Sequence, residues 1–422
     1  MKAGRPYPRK LEPEVIERFL EEQVILIQGP RAAGKSTLLR SLAERLDGTI
    51  IDLDDPDVAE AVDIDLAHQL SRPGPILIDE YQHLPRVLRS IKAQLNVEGR
   101  PGRYILTGST RHEALPAAAE ALTGRLHRML LLPLSQGEIA GAPETLLGQL
   151  LDDMSRESFE AGADSSTTRA EYIEKVVTGG MPLAVARRTP ESRNAWFDDY
   201  IRLTLERDVT ELSKVRRAEA LPRLLAQLAG QTGQVLNMAK AARACRLEPR
   251  TGESYVRLLE STFLIMRLPA WGGTLRTSVA RKPKVHVVDT GVGSRLMRVT
   301  AEHLARGDAT ALSEFGHLLE TFVVGELLKQ ASRTRQVSGY GHWRTHEGDE
   351  VDLVIERGDG KVVAFEVKAG AGGVDAGLRS LRRLRDAAGD RFLTGVLLNL
   401  GDRSIHTDDG LWVMPVDRIW KA

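Results

Sequence analysis

The stretch VILIQGPRAAGKSTLLRSLAERL, residues 24–46, constrains the fold of this chain more than any other. A short apolar run ends in a glycine-bounded loop, and the loop runs directly into an amphipathic segment. That order dictates strand, tight loop and helix. Gly29, Pro30, Arg31, Ala32, Ala33, Gly34, Lys35 and Ser36 fit the pattern G-x-x-x-x-G-K-[ST], with Thr37 next in line. Glycines at those positions let backbone N–H groups curl around an anion, and the helix N-terminus adds the positive end of its dipole. Lys35 is expected to reach the terminal phosphates of a nucleotide, and the Ser36 hydroxyl to ligate Mg²⁺. ATP and Mg²⁺ are the expected ligands of residues 29–37.

Two further strands complete the expected site. PILIDEYQHLP holds the apolar run Ile76 to Ile78 and ends it in Asp79 and Glu80. A buried parallel strand reads as a continuous apolar run, and α/β sites lie at strand C-termini. Asp79 is expected to hold Mg²⁺ through water, and Glu80 to polarise the attacking water. RYILTGST ends a third strand in Thr107, Gly108 and Ser109, where Ser109 or Thr107 can sense the terminal phosphate.

With LTGRLHRMLLLPLSQGEI (residues 122–139) and TGGMP (178–182), these motifs resemble a family of bacterial and archaeal AAA-like P-loop ATPases that carry a C-terminal domain of unknown function. The sequence departs from the family at Ala32, Ala33 and Tyr81, none of which removes a charge or hydroxyl that the chemistry uses. The resemblance implies that Arg125 senses the terminal phosphate in cis or across a subunit, with Arg31 and Arg111 as alternatives. It also implies a homo-oligomer as a possible state. TGGMPLAVARR resembles the Gly-x-Pro signature of STAND ATPases, which implies that Pro182 of a helical lid packs on the adenine. A plain helix start with proline in the first turn is the other reading.

Composition bounds what else the chain does. It has 422 residues, too many for one compact core, and a single cysteine, Cys245, which excludes an intrachain disulfide and a thiolate metal cage. No apolar run is long enough to span a bilayer and the N-terminus lacks a signal-peptide core, so a cytoplasmic protein with no membrane partner is expected. Net charge is +0, but residues 213–300 carry 16 Lys/Arg against 5 Asp/Glu. A basic middle suits a polyanion such as DNA.

Within that segment, residues 221–271 read as helix, short strand QVLN, helix MAKAARACRL, a turn, a second helix capped by Thr251, then strand and wing. This is the order of a winged helix-turn-helix. Arg250, Thr251, Ser254 and Arg257 are then candidates for base edges, and Lys240, Arg243 and Arg246 for phosphates. A protein-docking role for the same module stays open.

The C-terminal part opens with an expected strand, Val285 to Val288, and continues with a helix, SEFGHLLETFVVGELLKQ, whose flank carries Glu320. Two β-rich runs, Val351 to Glu356 and Lys361 to Lys368, then flank Gly358-Asp359-Gly360. A three-residue hairpin loop pairs Arg357 with Lys361 and sets Asp352 opposite Glu366, with Lys368 on the same face. Two carboxylates and a lysine on one face suit a divalent metal, Mg²⁺ or Mn²⁺, with Lys368 activating water beside a phosphate. The pattern resembles PD-(D/E)xK nucleases, and the resemblance adds Glu320 to the metal ligands. An inactivated nuclease fold kept for binding is the alternative. His342 and His346 read as surface or DNA-facing histidines.

The expected fold class is α/β: a P-loop parallel-sheet ATPase domain (1–140), a helical lid (141–212), a winged helix (213–275) and a restriction-endonuclease-like α/β domain (276–422). The expected function is ATP hydrolysis coupled to DNA binding and metal-dependent DNA cleavage. The alternative is a nucleotide-dependent signalling or assembly switch with a catalytically silent nuclease-like domain.

Overall fold

In the computed structural model, residues 6–111, 122–152, 164–208, 218–272, 282–370 and 373–421 are described. The chain forms two compact units. The first comprises 1–134, 202–218 and 257–264, and the second comprises 135–201, 219–256 and 265–422.

The first unit is built on a five-stranded sheet of β1 (Val24–Gln28), β2 (Thr49–Asp52), β3 (Ile76–Asp79), β4 (Tyr104–Gly108) and β5 (Leu126–Leu130), in the order β2-β3-β4-β1-β5. All its pairings are parallel. Strand period explains why it takes two layers of cover. Ile25 and Ile27 pack with Leu38, Leu39 and Leu42 of the helix Lys35–Leu46, whereas Val24 and Leu26 pack with Ile91 and Leu95 of the helix Val87–Val97. The expected strand–loop–helix order is present, and the C-terminal ends of β1, β3 and β4 lie side by side.

The second unit holds two sheets. In the smaller, β6 (Gln234–Val235), β7 (Ile265–Leu268) and β8 (Lys284–Val287) pair antiparallel in the order β6-β8-β7. The strand expected to open the C-terminal domain is thus the centre of this sheet. Helices Leu221–Ala229, Met238–Ala244 and Pro249–Ser261 precede it in the chain. The last of these starts at Pro249 rather than after a Thr251 cap, because proline in a first turn has no N–H to leave unpaired. The larger sheet has the order β13-β14-β12-β11-β10-β9. Its strands are β9 (Val337–Arg344), β10 (Glu350–Arg357), β11 (Val362–Lys368), β12 (Phe392–Asn399), β13 (Ile405–His406) and β14 (Trp412–Pro415). The 23-residue helix Ala309–Ala331, capped by Asp308, and the helix Val374–Ala388 contribute to this unit. The connecting helix expected after residue 200 ends as a π-helical turn at Thr204–Asp208, and Val209 and Leu212 lie outside the described residues.

Candidate functional site

Local backbone geometry in the first unit forms a phosphate-sized loop. Gly29 follows β1, and a Cβ there would stand 2.0 Å from the Leu131 carbonyl oxygen, so glycine alone fits. Ala32 and Gly34 both take left-handed backbone, with φ of 60° and 97°. Lys35 is buried, and its Nζ donates to the carbonyls of Gly29 and Pro30 at 3.2 Å each while standing 3.5 Å from Glu80 Oε1. Glu80 itself sits in the left-handed region at φ 48°, where a residue with a Cβ is strained. Its Oε2 accepts from Gln82 Nε2 at 2.5 Å and from the Ser109 backbone N–H at 3.0 Å. Burial works to raise the Glu80 carboxyl, but the Lys35 ammonium, Gln82, Arg31 and Ser109 together hold it below the usual carboxylate range. Asp79 accepts from the hydroxyls of Thr107 and Ser36, and burial lifts its carboxyl above the ordinary value. Ser36 and Asp79, the two expected Mg²⁺ ligands, are therefore side by side as hard oxygen donors, a set that fits Mg²⁺.

The second unit brings the C-terminal acids together. Leu353 faces Phe365 and Ile355 faces Val363, the register expected from the hairpin loop. Asp352 accordingly lies across from Glu366: its backbone N–H donates to Glu366 Oε2 at 3.3 Å, and its Oδ2 accepts from the Val367 N–H at 3.0 Å. Lys368 Nζ donates to Glu366 Oε1 at 2.5 Å. Glu320 is buried nearby, as the helix stripe requires. At the centre of these acids, however, stands a residue the sequence reading did not place there. Lys284 of β8 is 1 % exposed, and its Nζ lies 2.7 Å from Glu320 Oε1, 2.8 Å from Asp352 Oδ1 and 2.6 Å from Glu350 Oε1.

Electrostatics follow from that contact. Burial works against the Lys284 ammonium, but Asp352, Glu320 and Glu350 hold it charged far above its usual range. Burial and repulsion from Asp352 push Glu320 well up and Glu366 up to about 8. Burial works to raise Asp352 too, yet Lys284 and Lys368 hold it below its ordinary value. An open cavity of about 540 Å³ is lined by Glu320, Glu350, Asp352, Glu366 and Lys368, with His317 and Arg344 beside them. The expected metal ligands Glu320, Asp352 and Glu366 thus do converge, but Asp352 and Glu366 have each oxygen already hydrogen-bonded and a cation already bridges Glu320 to Asp352. As arranged, the set does not fit a divalent metal, and among the described residues no group of three or more His, Cys, Asp or Glu is disposed to hold one.

Other expected site residues fall elsewhere. Pro182 opens the helix Pro182–Val185 in the second unit, as a first-turn proline. The segment before it is tied to Asp289, which accepts from the Gly180 N–H at 2.7 Å and the Val292 N–H at 3.1 Å. The TGGMP motif and the segment VDTG (residues 288–291) are thus one junction. Lys240, Arg243, Arg246, Arg250 and Arg257 are all exposed. His342 is buried rather than surface-facing, its ring nitrogen 3.2 Å from the Lys282 carbonyl and its pKa lowered by burial to about 4. His346 is exposed.

Residues 21–140 match the family model described as AAA domain. The first unit holds a P-loop ATPase-like domain. Two further matches are each described as a domain of unknown function, one (DUF8612) over residues 169–303 and one (DUF4143) over 315–419. Uncharacterized proteins of Mycobacterium tuberculosis and Mycobacterium bovis are each 27% identical over 349 residues, spanning 82% of this chain and 70% of theirs. Among solved structures, the Walker-type ATPase of Pyrococcus abyssi is similar at 15% identity and a TM-score of 0.39, covering 69% of this chain and 96% of that one.

Within the ATPase-like domain, the arginine assignments need correction. Arg125 immediately precedes β5, whose Leu126 pairs with Val24 at the start of β1, whereas Leu130 pairs with Gln28 beside the loop. At about 3.3 Å per strand residue, some 13 Å separates the two ends. The Arg125 guanidinium instead bonds Asn96 Oδ1 at 2.8 Å, on the opposite side of the sheet end from Lys35. This placement sets Arg125 apart from the loop within one subunit. Arg111 donates from Nε to the Glu260 carbonyl at 3.0 Å and lies over the Phe263 ring. Arg31 lies in the loop itself and acts on the Glu80 carboxylate, and a further arginine, Arg9, reaches the loop from outside, donating from Nη1 to the Ala33 carbonyl at 2.6 Å and from Nη2 to the Leu132 carbonyl at 2.7 Å. Nothing in its sequence context marks Arg9. Gln82, by contrast, stands two residues after Glu80 and was readable as its neighbour, though not as its holder.

Proposed function

We propose that this chain hydrolyses ATP at the Lys35–Glu80 site and uses the nucleotide state to switch a DNA-binding second half that does not cut DNA through divalent metal. The observation that carries the reading is Glu80, held ionised between Lys35, Gln82 and Ser109 at the ends of adjacent parallel strands. Lys35 leaves the Gly29 and Pro30 carbonyls for the nucleotide's terminal phosphates. Ser36, and Asp79 through water, would hold Mg²⁺, which would supply positive charge to the phosphates. The ionised Glu80 takes a proton from the attacking water, with Ser109 placed to register the terminal phosphate. Loss of turnover in Glu80→Gln with nucleotide still bound tests this. Turnover unchanged in that variant would leave a nucleotide-binding scaffold instead.

DNA is the proposed partner because the exposed Lys240 and Arg243 lie on one helix, Arg250 and Arg257 on the next, and the exposed Arg246 in the turn between them, all between β6 and β7 in chain order. Helix, strand, two helices and two strands in the sheet order β6-β8-β7 support a winged helix-turn-helix. The Lys240→Glu/Arg243→Glu/Arg250→Glu variant should lose duplex binding, and each phosphate contact removed should flatten the salt dependence by about one unit of log–log slope. If wild-type protein binds neither duplex, single-stranded nor branched DNA, the partner is a protein. For the acidic cluster, the geometry of Lys284 favours a silent domain over a cleaving one. Homo-oligomerisation stays part of the proposal, as the means by which one ATPase domain would act on another.

A further inference from the structure

We infer that Lys284 takes the place of a divalent cation in the C-terminal acidic cluster, so that the native chain excludes metal there and removal of this one side chain creates a metal site. The inference deepens the silent-domain reading above and is independent of ATP hydrolysis.

Three observations carry it. First, the ammonium lies within 2.6–2.8 Å of three carboxylates drawn from two elements: Glu320 from the helix Ala309–Ala331, and Glu350 and Asp352 from β10. A single positive centre among several carboxylate oxygens is what a bound metal provides, although ammonium contacts are longer than the 2.0–2.6 Å of Mg²⁺ or Ca²⁺. Second, the outer acid is also answered by a cation, because Lys368 holds Glu366 Oε1. The remaining oxygens of Asp352 and Glu366 take backbone N–H donors from Val367 and Asp352. Third, burial makes the arrangement obligatory. Asp352 is 5 % exposed, and an ionised acid so placed requires a partner charge. A metal and Lys284 cannot both stand between Glu320 and Asp352, since a dication beside a buried ammonium would meet repulsion as well as a steric overlap.

Lys284 reaches the cluster from β8, the central strand of the small sheet, where its neighbours Val285 and Val287 are fully buried. Strand pairing on both sides fixes its position. Its backbone is therefore fixed, and its side chain, 1 % exposed, is enclosed among the carboxylates rather than free in solvent.

The test uses the full chain without nucleotide and Mn²⁺ as probe, read by electron paramagnetic resonance and by thermal shift. Wild type should show no Mn²⁺ binding that depends on Asp352. Lys284→Ala should gain an Mn²⁺ site at least about tenfold tighter than any in wild type, lose it again in Lys284→Ala/Asp352→Asn, and melt higher when Mn²⁺ is added. Lys284→Met, of similar length and uncharged, serves where the alanine variant folds poorly, and the same gain is expected. Two results overturn the inference: Mn²⁺ binding in wild type that Asp352→Asn abolishes, or folded Lys284→Ala and Lys284→Met proteins that gain no site. Neither result bears on ATP turnover, which Glu80→Gln tests separately.

Discussion

The side-chain amide of Gln82 donates to Glu80 Oε2 at 2.5 Å and lies 3.0 Å from Ser109 Oγ, so one nitrogen ties the proposed base to the proposed sensor. Gln82 is a positioning residue. Gln82→Ala should lower kcat about tenfold or more with little change in nucleotide affinity, whereas Glu80→Gln should lower kcat by about 10²–10⁴. Steady-state ATPase assays beside nucleotide titrations separate the two, and an equal loss of kcat and affinity in Gln82→Ala would instead point to a general collapse of the site.

Arg9 supports the loop from beneath, through the Ala33 and Leu132 carbonyls. Arg9→Ala leaves two buried acceptors unsatisfied, each at about 1–3 kcal/mol. A lower Tm and weaker nucleotide binding are expected together. Arg9→Lys should recover part of the stability, since one ammonium can reach one carbonyl but cannot span both as the guanidinium fork does.

At the TGGMP–VDTG junction, Gly179 has φ of 66° and a Cβ there would meet Asp289 Oδ1 at 2.3 Å. Gly179→Ala therefore clashes with a buried carboxylate that already serves two N–H donors. Chemical denaturation should show a loss of at least about 2 kcal/mol. Asp289→Ala should be of similar size, because the Gly180 and Val292 N–H groups lose their acceptor.

The pH dependence of stability has a definite sign at Glu366. Its carboxyl titrates near 4.5 when unperturbed and is pushed up to about 8 by burial and by Asp352. Below about pH 4.5 both states hold the proton and the group contributes no slope. Between that point and about pH 8 the unfolded chain releases the proton while the folded one keeps it, so stability falls as pH rises. Glu366→Gln removes this fall, which reaches about 1.4 kcal/mol per pH unit. Melting curves of wild type and variant from pH 5 to 8 should diverge progressively; parallel curves would sink the idea.

Arg125→Ala should leave the turnover of a monomeric preparation within about twofold of wild type, given where β5 begins. A large loss that appears only at high protein concentration would mean that the guanidinium serves a neighbouring copy.

Much of this was legible in the sequence for local reasons. The loop of residues 29–36 is set by glycine spacing, and the Asp352–Glu366 pairing by a three-residue hairpin loop with strand period two. Both depend on residues close along the chain. Lys284 lies 36 residues from Glu320 and 68 from Asp352, and only the tertiary packing of β8 brings it in. Its place in a basic segment gave no sign that it answers buried acids. The place of Arg125 was hidden for a related reason: within one subunit, a parallel sheet puts the residue before a strand at the end remote from the nucleotide. Burial of His342 was likewise hidden, because HWRTH looks polar until β9 is covered.

Because Lys284 comes from a strand outside the hairpin that carries the acids, the charge state of that cluster is governed by one codon that no search confined to the D…ExK letters would inspect. Losing or gaining a lysine on β8 would leave every acidic letter intact while reversing what the cluster can bind. On this inference, the residue a relative carries at the position of Lys284 should decide whether its cluster takes a metal, whatever its acidic letters are.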